Sequence, residues 1–360
     1  MDPLRFVRAD FVELEEYEPV KPVDVLAEEL GLTPAEIVKL DANENLYGPP
    51  APVREAASQA PFHIYPDPYQ TRLREKLAEW LDVSPDEVVA GAGADDILDL
   101  VLRLTRPEAV VTTPPTFGMY SFLARVNGCR VVEVPRRDGF ELDLRGVARA
   151  VEEEGARVVF LASPNNPTGT LSSVEEIEAL CSLEALIVVD EAYAEFAGTT
   201  FVPMVREHRN LVVVRTFSKW AGLAGLRVGY GIADRELARR LMAIKQPYNV
   251  NVAAEAAAIE ALEHREELME VVRAIVRERE RMIGLLRQFA WLRPLPSVTN
   301  FVLCHVEGRS AKHVAQALRR RGVLVRFYDR PELRNYIRIS VGRPSDTDRL
   351  LAALQEVDRE

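Results

Sequence analysis

Lys219 ends a run of buried-strand character. Leu211-Val212-Val213-Val214-Arg215 leads into the hydroxyl-bearing turn Thr216-Phe217-Ser218 and then the lysine. A lone lysine is ordinarily a solvated surface residue. One placed just beyond an apolar strand has its charged form disfavoured, and a neutral amine condenses with carbonyl compounds to Schiff bases. Asp190 has the same placement, after Leu186-Ile187-Val188-Val189, with Glu191-Ala192-Tyr193 following. A buried carboxylate without a partner is costly, so Asp190 should meet a cation. A protonated pyridine nitrogen would serve; a structural salt bridge or helix cap is the plainer alternative.

Three further strand ends carry polar groups. Val88-Val89-Ala90 opens into Gly91-Ala92-Gly93-Ala94-Asp95-Asp96 and a helical stretch. A glycine turn entering a helix N-terminus offers N–H groups and the positive end of the helix dipole to a phosphate. The third glycine of a dinucleotide fingerprint is replaced by Asp96, and no Gly-Lys-Thr/Ser of a P-loop follows, so this motif alone is equally a plain turn. Val158–Leu161 precedes Ser163-Pro164-Asn165-Asn166-Pro167-Thr168-Gly169, where two prolines and a glycine should hold Asn166 as a rigid amide donor. Arg227, eight residues beyond Lys219, is placed to neutralise a phosphate.

These residues need a sheet to gather them. Short apolar runs recur at 88–89, 110–112, 130–134, 158–161, 186–189, 211–215 and 227–231, alternating with helical stretches such as Arg72–Leu81 and Asp95–Leu104. That rhythm predicts an α/β fold with a mostly parallel seven-stranded sheet, whose ligands bind at the carboxyl ends of the strands. Ser173-Val174-Glu175-Glu176 has the form of a capping box. Pro49, Pro50, Pro52, Pro61, Pro66 and Pro68 predict an extended segment without regular helix. Strong helix formers run from Ala253 to Phe289. Beyond Pro294 and Pro296 the pattern resets to strand, helix, strand, strand and helix. The expected organisation is an N-terminal segment, 1–45, contributing to the small domain, a large domain over 46–290, and a small α+β domain over 291–360.

The 360 residues carry 45 Lys and Arg against 56 Asp and Glu, a formal charge of −11. No global positive field is offered to nucleic acid or an anionic membrane, so a bound anion must be held by local donors. No apolar run reaches the ~18 residues that span a bilayer, and the N-terminus has no signal-peptide apolar region. Cys129, Cys181 and Cys304 form neither a CxxC pair nor a disulfide framework. A cytoplasmic protein without a metal centre is expected.

Taken together, Ser163–Gly169, Asp190 with Tyr193, Thr216–Lys219 and Gly222-Leu223-Ala224-Gly225-Leu226-Arg227 resemble the fold-type I pyridoxal-phosphate aminotransferases, in order and spacing over nearly the whole chain. Leu40-Asp41-Ala42-Asn43-Glu44-Asn45, Tyr65-Pro66-Asp67-Pro68, Pro115-Thr116-Phe117-Gly118-Met119-Tyr120, Pro247-Tyr248-Asn249-Val250-Asn251 and Arg338-Ile339-Ser340-Val341-Gly342 are similar to segments of the histidinol-phosphate aminotransferase family.

That resemblance implies pyridoxal 5′-phosphate as cofactor, with Lys219 as its covalent anchor and the base that moves the substrate's proton. It implies that Asp190 pairs with the ring nitrogen, that Tyr193 and Asn166 bond the ring oxygen, and that Phe117 stacks on the ring. Gly93, Ala94, Asp95, Thr216, Ser218 and Arg227 would surround the phosphate, joined by Tyr65 of a partner subunit in a homodimer. Arg326, Arg338, Tyr17, Asn43 and Asn166 would meet the substrate. The implied reaction interconverts histidinol phosphate plus 2-oxoglutarate with imidazole acetol phosphate plus glutamate, in histidine biosynthesis. An aromatic amino-acid aminotransferase, or a decarboxylase of a phosphorylated amino acid, shares fold and cofactor. Phe117 departs from a common tyrosine, keeping the stacking face and losing a hydroxyl, and Trp220 replaces a small residue after the lysine.

Overall fold

The structure is a computed structural model and describes residues 2–12 and 21–359. Small-domain strand β1 is Val38–Leu40. The larger sheet holds β2 (Val88–Gly91), β3 (Ala109–Thr112), β4 (Arg130–Glu133), β5 (Ala156–Ala162), β6 (Leu186–Asp190), β7 (Leu211–Thr216) and β8 (Gly229–Ala233) in the order β2-β8-β7-β6-β5-β3-β4. β8 is antiparallel to both neighbours; every other pairing is parallel. β2, β7, β6, β5 and β3 therefore all end on one edge, the edge that carries Gly91, Thr216 and Asp190.

The two-residue period of these strands divides the interior into two cores. Val159, Leu161, Ile187, Val189, Leu211 and Val213 face one core. Val158, Phe160, Val188, Val212 and Val214 face the other, beneath helices Ala94–Thr105 and Met119–Val126. Burial on both faces explains why the strands read as unbroken apolar runs rather than alternating ones. β4, the edge strand, exposes Arg130 and Glu133, and charges there oppose edge-to-edge pairing.

The second sheet joins β1, β9 (Leu292–Pro294), β10 (Phe301–Val306), β11 (Val323–Phe327) and β12 (Tyr336–Ser340) in the order β1-β11-β12-β10-β9. The N-terminal strand β1 runs parallel to β11, and the remaining pairs are antiparallel.

Several expectations need correction. The proline-rich segment contains helix Ala51–Ser58, because Pro50 stands at its N-cap and Pro52 in its first turn, where a missing N–H costs nothing. The expected helix over 253–289 is two helices, Val252–Glu263 and Arg265–Leu286, broken at His264, whose backbone leaves helical angles while its ring lies 3.1 Å from Glu260 and 3.4 Å from Glu267. Strand β8 begins at Gly229 rather than Arg227, since Arg227 takes a left-handed φ of 55°. β9 precedes the expected start of the second sheet.

Gly229 is where backbone approach is tightest at the functional edge. A Cβ there would lie 2.5 Å from the Ala94 nitrogen and 2.6 Å from the Gly93 carbonyl carbon, whereas one at Gly225 would meet nothing within 4 Å. Gly229→Ala should therefore destabilise the protein by roughly 1–3 kcal/mol through overpacking. Gly225→Ala should stay within about 0.5 kcal/mol. Thermal unfolding midpoints of the two variants check this; equal midpoints would mean the turn yields freely.

Candidate active site

Asp190 is buried at the end of β6. Tyr120 donates its hydroxyl to Asp190 Oδ2 at 2.8 Å, and the Ala192 N–H donates to Oδ1 at 3.0 Å. Both partners are neutral, and no cation pairs with this carboxylate among the described residues. Burial pushes its pKa up to about 6, against the opposing pull of the Tyr120 hydrogen bond. Tyr120 is held by Phe160, stacked at 5.4 Å, and by Phe117, edge-on at 5.5 Å.

Lys219 lies beyond the adjacent strand β7, its Nζ donating to the Ala42 carbonyl at 3.2 Å. Burial and the positive charge of Arg338 bring its pKa down to about 8, with Glu44 and Asp95 opposing. A substantial neutral fraction near neutrality is what nucleophilic and base chemistry requires.

The glycine turn meets the start of helix Ala94–Thr105. Its N-cap, Gly93, supplies no capping side chain, so the first N–H groups, at Ala94 and Asp95, have no side-chain cap. A Cβ at Gly93 would lie 2.5 Å from Arg227 Nη2, so that guanidinium closes over the turn, also bonding Asp95 at 3.1 Å. Thr216 donates to Ser218 at 2.9 Å on the other side. Backbone donors, two hydroxyls and an arginine thus converge.

The small sheet supplies the opposite wall. Arg338 is 5% exposed, yet bonds no carboxylate among the described residues. Its Nη1 donates to Asn166 Oδ1 at 2.6 Å and its Nη2 to the Asp41 carbonyl, while Nε has no partner. Arg326 stands directly across from it in the β11–β12 register, and both guanidinium groups lie over Tyr328, at 5.6 and 5.8 Å. Asn166 thus accepts through its carbonyl, which leaves its amide N–H groups toward the site. Asn165 is the peg of that loop, bonding Pro115, Thr168 and Thr116.

Asn43, expected among substrate contacts, has all four polar groups engaged. It bonds Ser340 through its N–H and Oδ1, accepts from Asn300, and donates Nδ2 to the Tyr193 hydroxyl at 2.9 Å. It adopts a left-handed φ of 54°, tying Tyr193 to the small sheet. Burial pushes the Tyr193 phenol further up from its ordinary range. Tyr65 does not join the cluster in its own chain. It is 78% exposed and stacks on Tyr248 at 4.6 Å. Tyr17 lies outside the described residues.

Two groups were missed from sequence. Tyr120 sits inside the quoted Pro115–Tyr120 segment, and only the packing of helix Met119–Val126 shows it reaching Asp190. Arg215, buried, meets Glu195 at 2.7 Å and Glu191 at 3.8 Å and lies 5.0 Å over the Trp80 ring. This cluster joins the ends of β6 and β7 from the face away from Asp190.

A half-buried lysine, a carboxylate one strand away with no cation among the described residues, and a turn of backbone donors, hydroxyls and an arginine define the site of an enzyme that works through an aldehyde cofactor. The chain belongs to the aminotransferase class I and II family, whose model matches residues 35–354. It is 47% identical to histidinol-phosphate aminotransferase of Roseiflexus castenholzii, covering 98% of both chains. It is 45% identical to a chloroplastic histidinol-phosphate aminotransferase of Arabidopsis thaliana, covering 98% of this chain and 85% of that one. The crystal structure of histidinol-phosphate aminotransferase from Sinorhizobium meliloti in complex with pyridoxal-5′-phosphate superposes with a TM-score of 0.88 at 32% identity, covering 99% of each chain. The residues present fit that cofactor. Asp190 wants a cation, the Gly93 turn offers donors for a phosphate, and Lys219 is the half-buried amine of the same strand edge.

Covalent attachment of pyridoxal 5′-phosphate to the apoprotein should accelerate with rising pH, with a midpoint near the lowered Lys219 value of about 8, because only the unprotonated amine attacks. Borohydride reduction and peptide mass mapping should place the adduct on Lys219, and Lys219→Ala should abolish it. Cofactor mass on another lysine would remove Lys219 from this role.

Proposed function

We propose that this chain transfers the amino group between histidinol phosphate and 2-oxoglutarate, giving imidazole acetol phosphate and glutamate, as a step of histidine biosynthesis. The observation that carries the substrate reading is the buried Arg338, bonded to no carboxylate among the described residues, in register with Arg326, on the wall facing Lys219. Near identity in length and 44–47% sequence identity to bacterial enzymes of that name support it.

Pyridoxal 5′-phosphate supplies, when bound, an electron sink for the charge left at the substrate's α-carbon. Asp190 holds the ring nitrogen protonated, and Tyr120 keeps the carboxylate turned toward it. Tyr193, itself oriented by Asn43, and Asn166 donate toward the ring oxygen. Phe117 covers the ring face. The N–H groups of Ala94 and Asp95, the hydroxyls of Thr216 and Ser218, and Arg227 neutralise the phosphate. Lys219 Nζ takes the proton from the α-carbon and returns it. Arg338 reads the anionic end of both substrates, because a planar fork accepts a phosphate or a carboxylate with two hydrogen bonds. Arg326 favours the phosphate. The exposed strip Phe62, Ile64, Tyr65, Tyr69 and Tyr248 supports a homodimer in which Tyr65 reaches the partner's cofactor phosphate. Among the described residues no helix is long and apolar enough to cross a membrane, and the cytoplasm is the proposed location.

Arg326→Ala should weaken histidinol phosphate more than glutamate, and Arg338→Ala should damage both half-reactions, each by about 2–5 kcal/mol. Single-turnover titration of each variant with each amine decides this. An equal effect of Arg326→Ala on the two amines would remove phosphate recognition from that residue. Asp190→Asn should leave a folded protein whose α-proton removal falls by about 100- to 1000-fold, the loss met when one preorganised charge contact is deleted. Near-normal turnover in a folded variant would overturn the assignment.

A further inference from the structure

Lys245 follows helix Arg235–Ile244 and is 7% exposed, although it takes no part in the chemistry described above. Burial draws its ammonium down from the ordinary lysine range, with Asp96 foremost among the charges that oppose the shift. Keeping a cation in such a place requires good partners. Its Nζ donates to the Pro68 carbonyl at 2.7 Å and to Asn249 Oδ1 at 2.9 Å.

The second contact fixes more than itself. An amide is polar end to end, so with Oδ1 on the ammonium its NH2 group must face the other way. There it donates to Asp96 Oδ2 at 2.8 Å. Turning the amide over would set NH2 against ammonium and carbonyl against carboxylate. The same Asp96 oxygen accepts the Ala92 N–H at 2.8 Å, and a Cβ at Gly91 would come within 2.9 Å of it. Ala92 lies between the two glycines of the turn that opens helix Ala94–Thr105. A chain of alternating polarity therefore runs Lys245, Asn249, Asp96, Ala92, and ends on the backbone behind the N–H groups that have no side-chain cap.

The first contact reaches the loop Tyr65–Pro68. Tyr65 stacks on Tyr248, the neighbour of Asn249, which is held at a left-handed φ of 63°. One ammonium thus registers the tyrosine-bearing loop and the glycine turn against each other.

We propose that Lys245 is a positioning residue that sets the shape of the Ala92–Asp95 turn through Asn249 and Asp96, so that its N–H groups receive the cofactor phosphate. The inference rests on the reading that this turn holds that phosphate. Lys245 itself touches neither cofactor nor substrate.

The test compares apoprotein affinities for pyridoxal 5′-phosphate and for pyridoxal, which has the same ring and aldehyde but no phosphate. Lys245→Met removes the charge without leaving a buried ion unpaired; Asn249→Ala cuts the relay while leaving Lys245 on Pro68. Both should weaken pyridoxal 5′-phosphate by about 10- to 100-fold, the range met when the group supporting a ligand's direct contacts is lost. Pyridoxal binding should change by less than about threefold. Should Lys245→Met fail to fold, Asn249→Ala carries the same comparison. If either folded variant weakens the two ligands alike, or neither of them, the positioning role is overturned. If the unaltered protein itself fails to prefer the phosphorylated ligand, the phosphate reading of the turn falls first, and the proposal with it.

Discussion

A carboxylate taken out of water at a strand end, with only neutral partners among the described residues, is the constraint around which this site is built. Asp190 accepts from the Tyr120 hydroxyl and the Ala192 N–H, which satisfy its lone pairs without neutralising its charge. The nearest strand neighbour offers an arginine, Arg215, but that guanidinium is committed to Glu191 and Glu195. Two carboxylates on one arginine leave no positive charge over for Asp190. Removing the demand for a cation would need only one substitution, and the packing of Tyr120 against Phe160 and Phe117 works instead to preserve it. In the proposed assignment, a protonated ring nitrogen would answer that demand.

Strand alternation separates the two acidic neighbours. Asp190 turns toward Tyr120 and the core beneath helix Met119–Val126, whereas Glu191 turns toward Thr200, Phe201 and Arg215. The parallel register then places Lys219 one strand over, just past Thr216. The antiparallel β8 is what lets Gly93 and Ala94 approach so closely. Gly229 begins that strand at the functional edge, and its missing Cβ is the space the turn occupies.

The strand-end residues were legible in sequence because a fully buried parallel strand writes itself as an apolar run, and whatever polar residue follows it must lie at the binding edge. Lys219, Asp190 and the Gly91–Asp96 turn all announced themselves in this way. Tyr120 did not, since a tyrosine in the first turn of an amphipathic helix looks like any core aromatic until its hydroxyl is seen to reach Asp190. The break at His264 carries no proline or glycine, and helix Ala51–Ser58 was hidden by prolines that stand where a helix tolerates them. Arg326 and Arg338, on consecutive neighbouring strands, were expected to meet one substrate, but Asn43's bonds span nearly 300 positions of chain. Such relations belong to tertiary packing, which local pattern does not encode.

The arginine pair carries a consequence for Lys219. Like charges directly opposite one another across two strands repel, and no carboxylate among the described residues bonds the buried Arg338. After burial, the charge of Arg338 is the largest effect holding the lysine pKa down. In the proposed assignment, an anionic substrate end seated on Arg338 neutralises part of it, and the lysine becomes more basic as the substrate arrives. Coupling of this kind is reciprocal: a protonated Lys219 must favour the anion by the same factor that the anion favours protonation. In that assignment the substrate's own charge would raise the basicity of the amine, which must still be unprotonated at the moment it takes the α-proton.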